Sequence, residues 1–400
     1  MYSIPRKQIT GINIHKINVI VCSICVIYTM FGGIKAVVWT DVVQGFIMLA
    51  SVVVVASFGI YKVGGFQQSS YTRQINNKHK LRFNNKINSW NCLISGLFLA
   101  TSHIGFSQSC VQRLVSLPSI EQAQKSIYYF GFGLAVVVGF CNFTGLIMFA
   151  NYVDCDPVRA GVVQKQDQML PFFVQQTVGN IVGMSGFFIS SVFSASLSTL
   201  SANLNSLSGI IYFDYIKRNV KHTEEKANFI MKIIVCLTGI YCIFGGLVVE
   251  RFHSLIEVCV TWTGVAFGCL FGVFMMGFFV PKVHSKATFI AIVTSLIITI
   301  GIIVTGKIYM YLINYKYYPL PTSVEKCDAL NINATMILLE NIPKADPFDI
   351  WKMSFVWYSV VGSLLVWIIG IPLSYLMAPN KDEISNINLY APIVKRILMK

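Results

Sequence analysis

Ser190–Ser208 reads SSVFSASLSTLSANLNSLS, a run rich in hydroxyls and amides and free of charge. It lies in a region otherwise apolar enough for lipid. Ser191, Ser194, Ser198, Ser201, Asn205 and Ser208 follow one another at alternating steps of three and four. That spacing puts all six on one face of an α-helix. A helix in water would carry charges on such a face, and a helix against lipid would carry Leu or Phe. A polar, uncharged stripe in a membrane helix therefore faces other helices or an internal cavity. Ser and Thr oxygens also suit a hard cation such as Na+, by the logic that gives Ca2+ and Mg2+ oxygen ligands.

Composition places this helix in a membrane protein. Of 400 residues, 55% are hydrophobic and 12% charged, against about 25% charged in ordinary soluble domains. The net charge of +14 sits mostly in polar connections, where it suits anionic lipid headgroups. No basic run is long enough to indicate nucleic acid, so membrane lipid and not nucleic acid is the expected partner. The eleven cysteines show no CxxC…CxxC metal spacing. Cys22-Ser-Ile-Cys25 lies inside an apolar run and reads as helix packing. The first residues, MYSIPRKQITGINIHKIN, lack a cleavable signal's apolar core, so the first apolar run is expected to serve as the entry signal.

A transmembrane helix needs about 20 largely apolar residues. Nine stretches qualify: Asn18–Phe31, Trp39–Val63, Trp90–Phe106, Ile127–Tyr152, Asn180–Tyr212, Ala227–Val249, Leu255–Val280, Ala287–Gly306 and Phe355–Met377. Polar loops are expected at Gly64–Ser89, Gln108–Ser126, Val153–Gly179 and Lys307–Lys352. The sequon Asn333-Ala-Thr335 is the expected glycosylation site and places the longest loop outside. The C-terminus is then cytoplasmic. The turn with Lys217, Arg218, Lys221 and Lys226 then lies inside, as do Lys282 and Lys286 and the tail with Lys395 and Arg396, all in accord with the positive-inside rule. The loop carrying Arg73, Lys78, Lys80, Arg82 and Lys86 runs against it. Cys155 and Cys327 both fall in external loops, where disulfides persist. They either pair or stand as two separate loop thiols.

Asp41 opens the second span in GGIKAVVWTDVVQ, Gly32–Gln44. Thr40-Asp41 reads either as a helix cap or as part of an ion pathway, since acidic groups within spans are rare. In FLATSHIGFSQSCVQRL, Phe98–Leu114, Thr101, Ser102 and His103 interrupt the third span and Gly105 follows. This is either a bent helix with one satisfied histidine or a broken helix that binds solute. Thr261-Trp-Thr-Gly264 leads into Gly268, Gly272 and Gly277, a small-residue spacing that favours close helix packing. Glu250, Arg251 and Glu257 read as solvated interface. No nucleophile–base pair, zinc site, P-loop or dinucleotide fingerprint appears, so an enzyme is not expected.

GGIKAVVWTDVVQ resembles the signature of the sodium:solute symporters. SQSCVQR, Ser107–Arg113, resembles that family's NQSQVQR. DCDP at Asp154–Pro157, with the following QDQMLPFFV, is similar to its monocarboxylate, multivitamin and iodide branch. FSASLSTLSANLNSLSGIIYFDYIK, Phe193–Lys217, and GVFMMGFFVP, Gly272–Pro281, also match in pattern. The resemblance runs over almost the whole chain, in the same order.

It implies an all-α polytopic membrane protein with the leucine-transporter-type inverted-repeat bundle. One transporter domain fills residues 1–400, holding core helices four to ten and two peripheral helices. Residues 18–63 belong to the first repeat, 90–280 are the second, 287–377 are peripheral, and 378–400 form a cytoplasmic tail. Core helices one to three are expected to be missing, which leaves half a sodium site. The resemblance assigns Na+ to Ser198 and Thr199, with Ala195 and Ser196 nearby. It gives Asp41 a part in cation coupling and places His103, Ser102 and Thr261 near the solute. Ser191 and Ser208 become helix-packing positions. Na+ is the coupling ion, with no other cofactor. The expected function is symport of Na+ with a small organic anion, a monocarboxylate or a vitamin such as biotin or pantothenate, across the plasma membrane by alternating access. The alternatives are another solute such as iodide, or a transport-dead form that modulates a full-length partner. Oligomeric state is left open.

Overall fold

Long apolar runs become helices because a helix satisfies its backbone N–H and C=O groups internally, which lipid cannot do. The computed structural model describes residues 14–63, 89–152, 154–163, 166–219, 223–249, 255–281, 283–313, 324, 327, 350–377 and 390–398, and among these no strand occurs. In chain order the helices are α1 (Ile14–Val63), α2 (Ser89–Phe106), α3 (Gln108–Val115), α4 (Ile120–Tyr152), α5 (Met169–Val178) and α6 (Met184–Ile210). A π-helical turn, Ile211–Ile216, carries α6 on into Lys217–Asn219. Then come α7 (Glu224–Val249), α8 (Leu255–Phe279), α9 (Ser285–Leu312), α10 (Tyr358–Leu376) and α11 (Pro392–Leu398). Asn333, Glu250, Arg251 and the basic residues of 64–88 lie outside the described residues.

Among the described residues, eight segments are long and apolar enough to cross a membrane, where the sequence suggested nine. The most enclosed of them buries 39% of its most apolar window. The first two spans form one helical run broken at Gly33, whose φ of 55° and ψ of −159° are open to glycine and strained for other residues. The expected third span is α2. Its 18 residues reach about 27 Å, and Asn91, Ser95 and Ser102 are buried polar positions within it.

Two expected loops contain helices. Residues 108–126 were expected to be a polar connection, yet α3 fills 108–115 and α4 starts at Ile120. The Gln122 N–H reaches Ser119 Oγ at 3.3 Å. Ser119 with Gln122 three residues on has the spacing of a capping box, so α4 begins in polar sequence that hydropathy alone skips. Residues 153–179 hold α5, which buries Phe173, Val174 and Val178. The fifth expected span starts later than Asn180, because Gly183 turns the chain at φ 87° before α6.

The described contacts fall into two compact units. The first comprises Met1–Lys78, Gln112–Leu255 and Pro321–Leu338. Its main core joins Val55 and Ala56 of α1 to Ile147 and Tyr152 of α4, to Phe173, Val174 and Val178 of α5, and to Phe188 of α6. A Cβ on Gly59 would sit 2.9 Å from Ile147 and 3.0 Å from Phe173, so α1 can approach that closely only at glycine. A second core packs Cys25 of α1 against Leu204 of α6 and Val235 of α7. Cys155 and Cys327, which are 172 residues apart, are joined by a disulfide beside buried Ala160.

The second unit comprises His79–Val111, Ile256–Leu320 and Leu339–Lys400, and here helices meet through small residues. Added Cβ atoms on Gly268 and Gly272 would collide with the backbone of Ser359 and of Ser363 on α10. Ser363 Oγ donates to the Gly268 carbonyl at 2.7 Å, and Trp367 Nε1 to the Gly272 carbonyl at 2.9 Å. Ser295 of α9 donates to the Gly362 carbonyl at 2.9 Å. Gly277 has open space around it, so the close-packing reading holds for Gly268 and Gly272 and not for Gly277. The Tyr390 hydroxyl donates to the Pro281 carbonyl, and the Ala391 N–H to that of Phe278, which ties the segment leading into α11 to the end of α8.

Two measurements check these packings. Gly268→Val should lower the melting temperature in detergent by overpacking α8 against α10, at a cost of about 1–3 kcal/mol, while Gly277→Ala leaves it unchanged. Equal melting of both variants would count against the close approach. Replacing Cys155 with Ser should change migration on non-reducing gels to that of the reduced wild-type chain.

Candidate functional site

The hydroxyl stripe forms on α6 as its spacing requires, and most of it is turned inward. Ser191, Ser194, Ser201 and Ser208 are buried, and Ser198 and Asn205 are half-buried. Three of these hydroxyls go back to their own helix: Ser191 donates to the Phe188 carbonyl, Ser201 to that of Ser198 and Ser208 to that of Asn205. Such back-bonding satisfies a hydroxyl that has no other partner.

Ser198 does something else. Its Oγ donates across to Asp41 Oδ1 at 2.6 Å. The other carboxylate oxygen, Oδ2, accepts from Arg113 Nη2 at the same distance. Asp41 comes from the half of α1 that follows Gly33, Arg113 from α3 and Ser198 from α6. The Asp41 side chain is 15% exposed and that of Arg113 is 43% exposed, so the carboxylate is sheltered and the guanidinium reaches toward its edge. One residue before Ser198, the Leu197 carbonyl accepts from the Tyr28 hydroxyl at 3.0 Å. The two halves of α1 thus hold consecutive residues of α6.

Thr199 is exposed, and its Oγ1 donates to the Ala195 carbonyl at 3.0 Å. Ser196 Oγ donates to the carbonyls of Val192 and Phe193, both at 3.0 Å. Ser196 is two residues from Ser198, so it points nearly the opposite way around the helix. Of the four positions named for Na+, Ser198, Ala195 and Thr199 span about 100° of α6, and Ser196 lies beyond Thr199, about 160° from Ser198. Two hydroxyl oxygens and a carbonyl are hard donors of the type Na+ takes. Three oxygens from one helix leave the far side of a cation to water, solute or another segment.

The residues named for solute lie in the second unit. Ser102 is fully buried, and its Oγ donates to the Phe267 carbonyl of α8 at 2.6 Å. That hydroxyl locks α2 to α8. The neighbouring His103 is exposed, with its ring centroid 4.9 Å from that of Phe267. Thr261 is half-buried and lies six residues before Phe267 on α8, about 240° around the helix. Ser102 and His103 therefore converge on Phe267, and Thr261 faces a different direction. The α2 break falls at Ser107, whose carbonyl accepts from the Cys110 and Val111 N–H groups and opens α3. Stacking of Phe106 on Phe274, with centroids 4.4 Å apart, fixes that end of α2. At the edge of this unit Lys307 Nζ donates to Glu257 Oε1, so Glu257, half-buried, is an ion-pair partner and not the solvated interface residue the sequence suggested.

Arg113 is the functional candidate that residue-by-residue reading passed over. It lies in SQSCVQR but was placed in a loop. The available signal was arithmetic. Asp41 is the only acidic residue among the first 120, and Arg113 is the only Lys or Arg between Lys86 and Lys125. A lone carboxylate in a membrane chain calls for a partner.

Three comparisons bear on identity. The profile described as the Sodium:solute symporter family matches residues 6–295. Sodium-coupled monocarboxylate transporter 2 of Mus musculus is 29% identical over 390 residues, covering 95% of this chain and 62% of the relative. The Sodium/iodide cotransporter of Homo sapiens is 28% identical over 406 residues, covering 94% of this chain and 62% of its own. The chain thus spans about 62% of the length of these relatives. Among solved structures, a Na+-coupled sialic acid symporter in its substrate-bound outward-open state superposes with a TM-score of 0.70 at 21% identity, covering 94% of this chain and 70% of that one. The architecture is accordingly the leucine-transporter-type helical bundle, the relatives are transporters and not enzymes, and the chain is a multi-pass membrane protein. On the match over residues 6–295, this chain belongs to the sodium:solute symporter family.

Proposed function

We propose that the protein carries out sodium-coupled symport of a small organic anion across the plasma membrane by alternating access. The observation that carries this reading is the hydrogen bond from Ser198 to Asp41, on the turn of α6 where Thr199 and the Ala195 carbonyl add hard oxygen donors. Sodium held there favours the outward-facing state, the solute binds next, and a rocking of the core helices releases both inside. A membrane potential supplies about 2.3 kcal/mol per charge per 100 mV to drive this, in addition to the sodium gradient. Repeat boundaries at 18–63 and 90–280, with 287–377 peripheral, belong to the same reading.

Names of relatives support two solute classes, monocarboxylates and iodide, at similar identity. Both are small monovalent anions. His103, exposed beside Phe267, is the residue we assign to solute contact. Orientation follows from the disulfide: bonds of this kind persist on the oxidising side of a membrane, so Cys155 and Cys327 face outward. Among the described residues one span, Phe355–Leu376, separates Cys327 from α11, and on this reading the C-terminus and the exposed Arg396 lie in the cytoplasm, where basic residues concentrate.

Two experiments test the assignment. Ser198→Ala combined with Thr199→Ala should raise the sodium concentration for half-maximal uptake by about tenfold or more, the effect of losing two donors to a charged group. Unchanged sodium dependence would sink the site. Uptake of labelled lactate, biotin and iodide by the full chain, in sodium and in choline, should show sodium-dependent accumulation of one anion class. Equal uptake in both media would exclude coupling.

A further inference from the structure

This inference rests on the sodium-site reading above and concerns what prepares Ser198 for a cation. A serine hydroxyl has one proton and two lone pairs, and a cation is attracted only by the lone pairs. If the proton points at the cation, the residue repels it. On α6 three of the stripe's other hydroxyls, those of Ser191, Ser201 and Ser208, spend their protons on helix carbonyls behind them. Ser198 spends its proton on Asp41 Oδ1 at 2.6 Å, and a hydrogen bond to an ionised acceptor is short and strong. Donation to a carboxylate fixes the proton's direction and increases the electron density left on Oγ.

Asp41 in turn has its second oxygen on Arg113 Nη2 at 2.6 Å. A side-chain carboxylate can rotate about its last bond, and the guanidinium removes that freedom. We propose that Arg113 is a positioning residue for sodium, acting through Asp41 to hold the Ser198 hydroxyl with its lone pairs toward the cation. In this arrangement the charge of Asp41 is neutralised within the protein by Arg113. Arg113 comes from the short helix α3.

A plain structural ion pair would predict a different pattern, and a double-mutant cycle separates the two. Radiolabelled sodium binding to the purified full chain is measured for wild type, Arg113→Gln, Arg113→Lys, Ser198→Ala, and Arg113→Gln with Ser198→Ala. Melting temperatures are taken alongside. Arg113→Gln should weaken sodium binding by about tenfold, the scale of one charge-assisted hydrogen bond, and Arg113→Lys should recover part of it. In the Ser198→Ala background the same Arg113→Gln change should alter sodium affinity little, because the group it positions is gone. Additive losses in the double variant would show that Arg113 acts independently of Ser198 and overturn the inference. So would sodium affinity unchanged in Arg113→Gln while Ser198→Ala weakens it, an outcome that leaves the sodium site itself standing. Failure of the wild-type chain to bind sodium overturns the site and this inference together. Should Arg113→Gln fail to fold, Asp41→Asn reads the same relay. It keeps an acceptor oxygen for Ser198 but loses the charge that Arg113 holds, so its sodium affinity should fall between wild type and Ser198→Ala. Affinity equal to wild type would overturn the inference.

Discussion

A carboxylate enclosed by membrane helices cannot stay ionised unless other groups replace the water it has lost. Asp41 meets that constraint with two contacts of 2.6 Å, one to Arg113 and one to Ser198. Each contact comes from a different helix, so the solution for one charge also sets the mutual positions of α1, α3 and α6. Removing one partner of such a group leaves the others underpaired. That makes this corner of the first unit intolerant of change in a way an apolar contact is not. The same geometry delivers a hydroxyl whose proton is already committed.

The two units are held by different forces. In the first, large side chains such as Phe173, Ile147 and Phe188 fill the space around Gly59, and the Cys155–Cys327 bond ties in the loop that follows α4. In the second, glycines let α8 and α10 meet backbone to backbone, and hydroxyl and indole groups of α9 and α10 reach carbonyls across the gap. Lipid tails are as apolar as leucine, so neither unit gains much from a hydrophobic effect between helices. Close van der Waals fit and interhelical hydrogen bonds must do that work instead.

Much of this was legible in the sequence, for identifiable reasons. The stripe from Ser191 to Ser208 follows a helical period, and a period survives any change of tertiary context. Apolar runs gave eight of the spans, since length and hydropathy are properties of each segment alone. The helices α3 and the start of α4 were not legible that way. Their sequences are polar, and what makes them helical is capping at Ser119 and the carbonyl of Ser107. Within the site, Ser198 and Asp41 were named for their chemistry, while Arg113 was missed. Its role depends on a contact across 72 residues, and periodicity says nothing about such distances. The difference between Ser198 and Ser196 was also hidden, because resemblance names a neighbourhood and only helix geometry says which hydroxyl faces the carboxylate.

The bond between Cys155 and Cys327 has a consequence for how the protein is made. Synthesis runs from the N-terminus, so Cys155 is made well before its partner exists. By the time residue 327 emerges, α6, α7, α8 and α9 have already been made. Until then Cys155 is an open thiol, available to oxidoreductases and to wrong partners. Closure of this bond is therefore a late event that certifies the intervening spans have arrived in the correct number. An odd error in span count would leave the two sulfurs on opposite sides of the bilayer, and quality control could read the unpaired thiol as the mark of a misinserted chain.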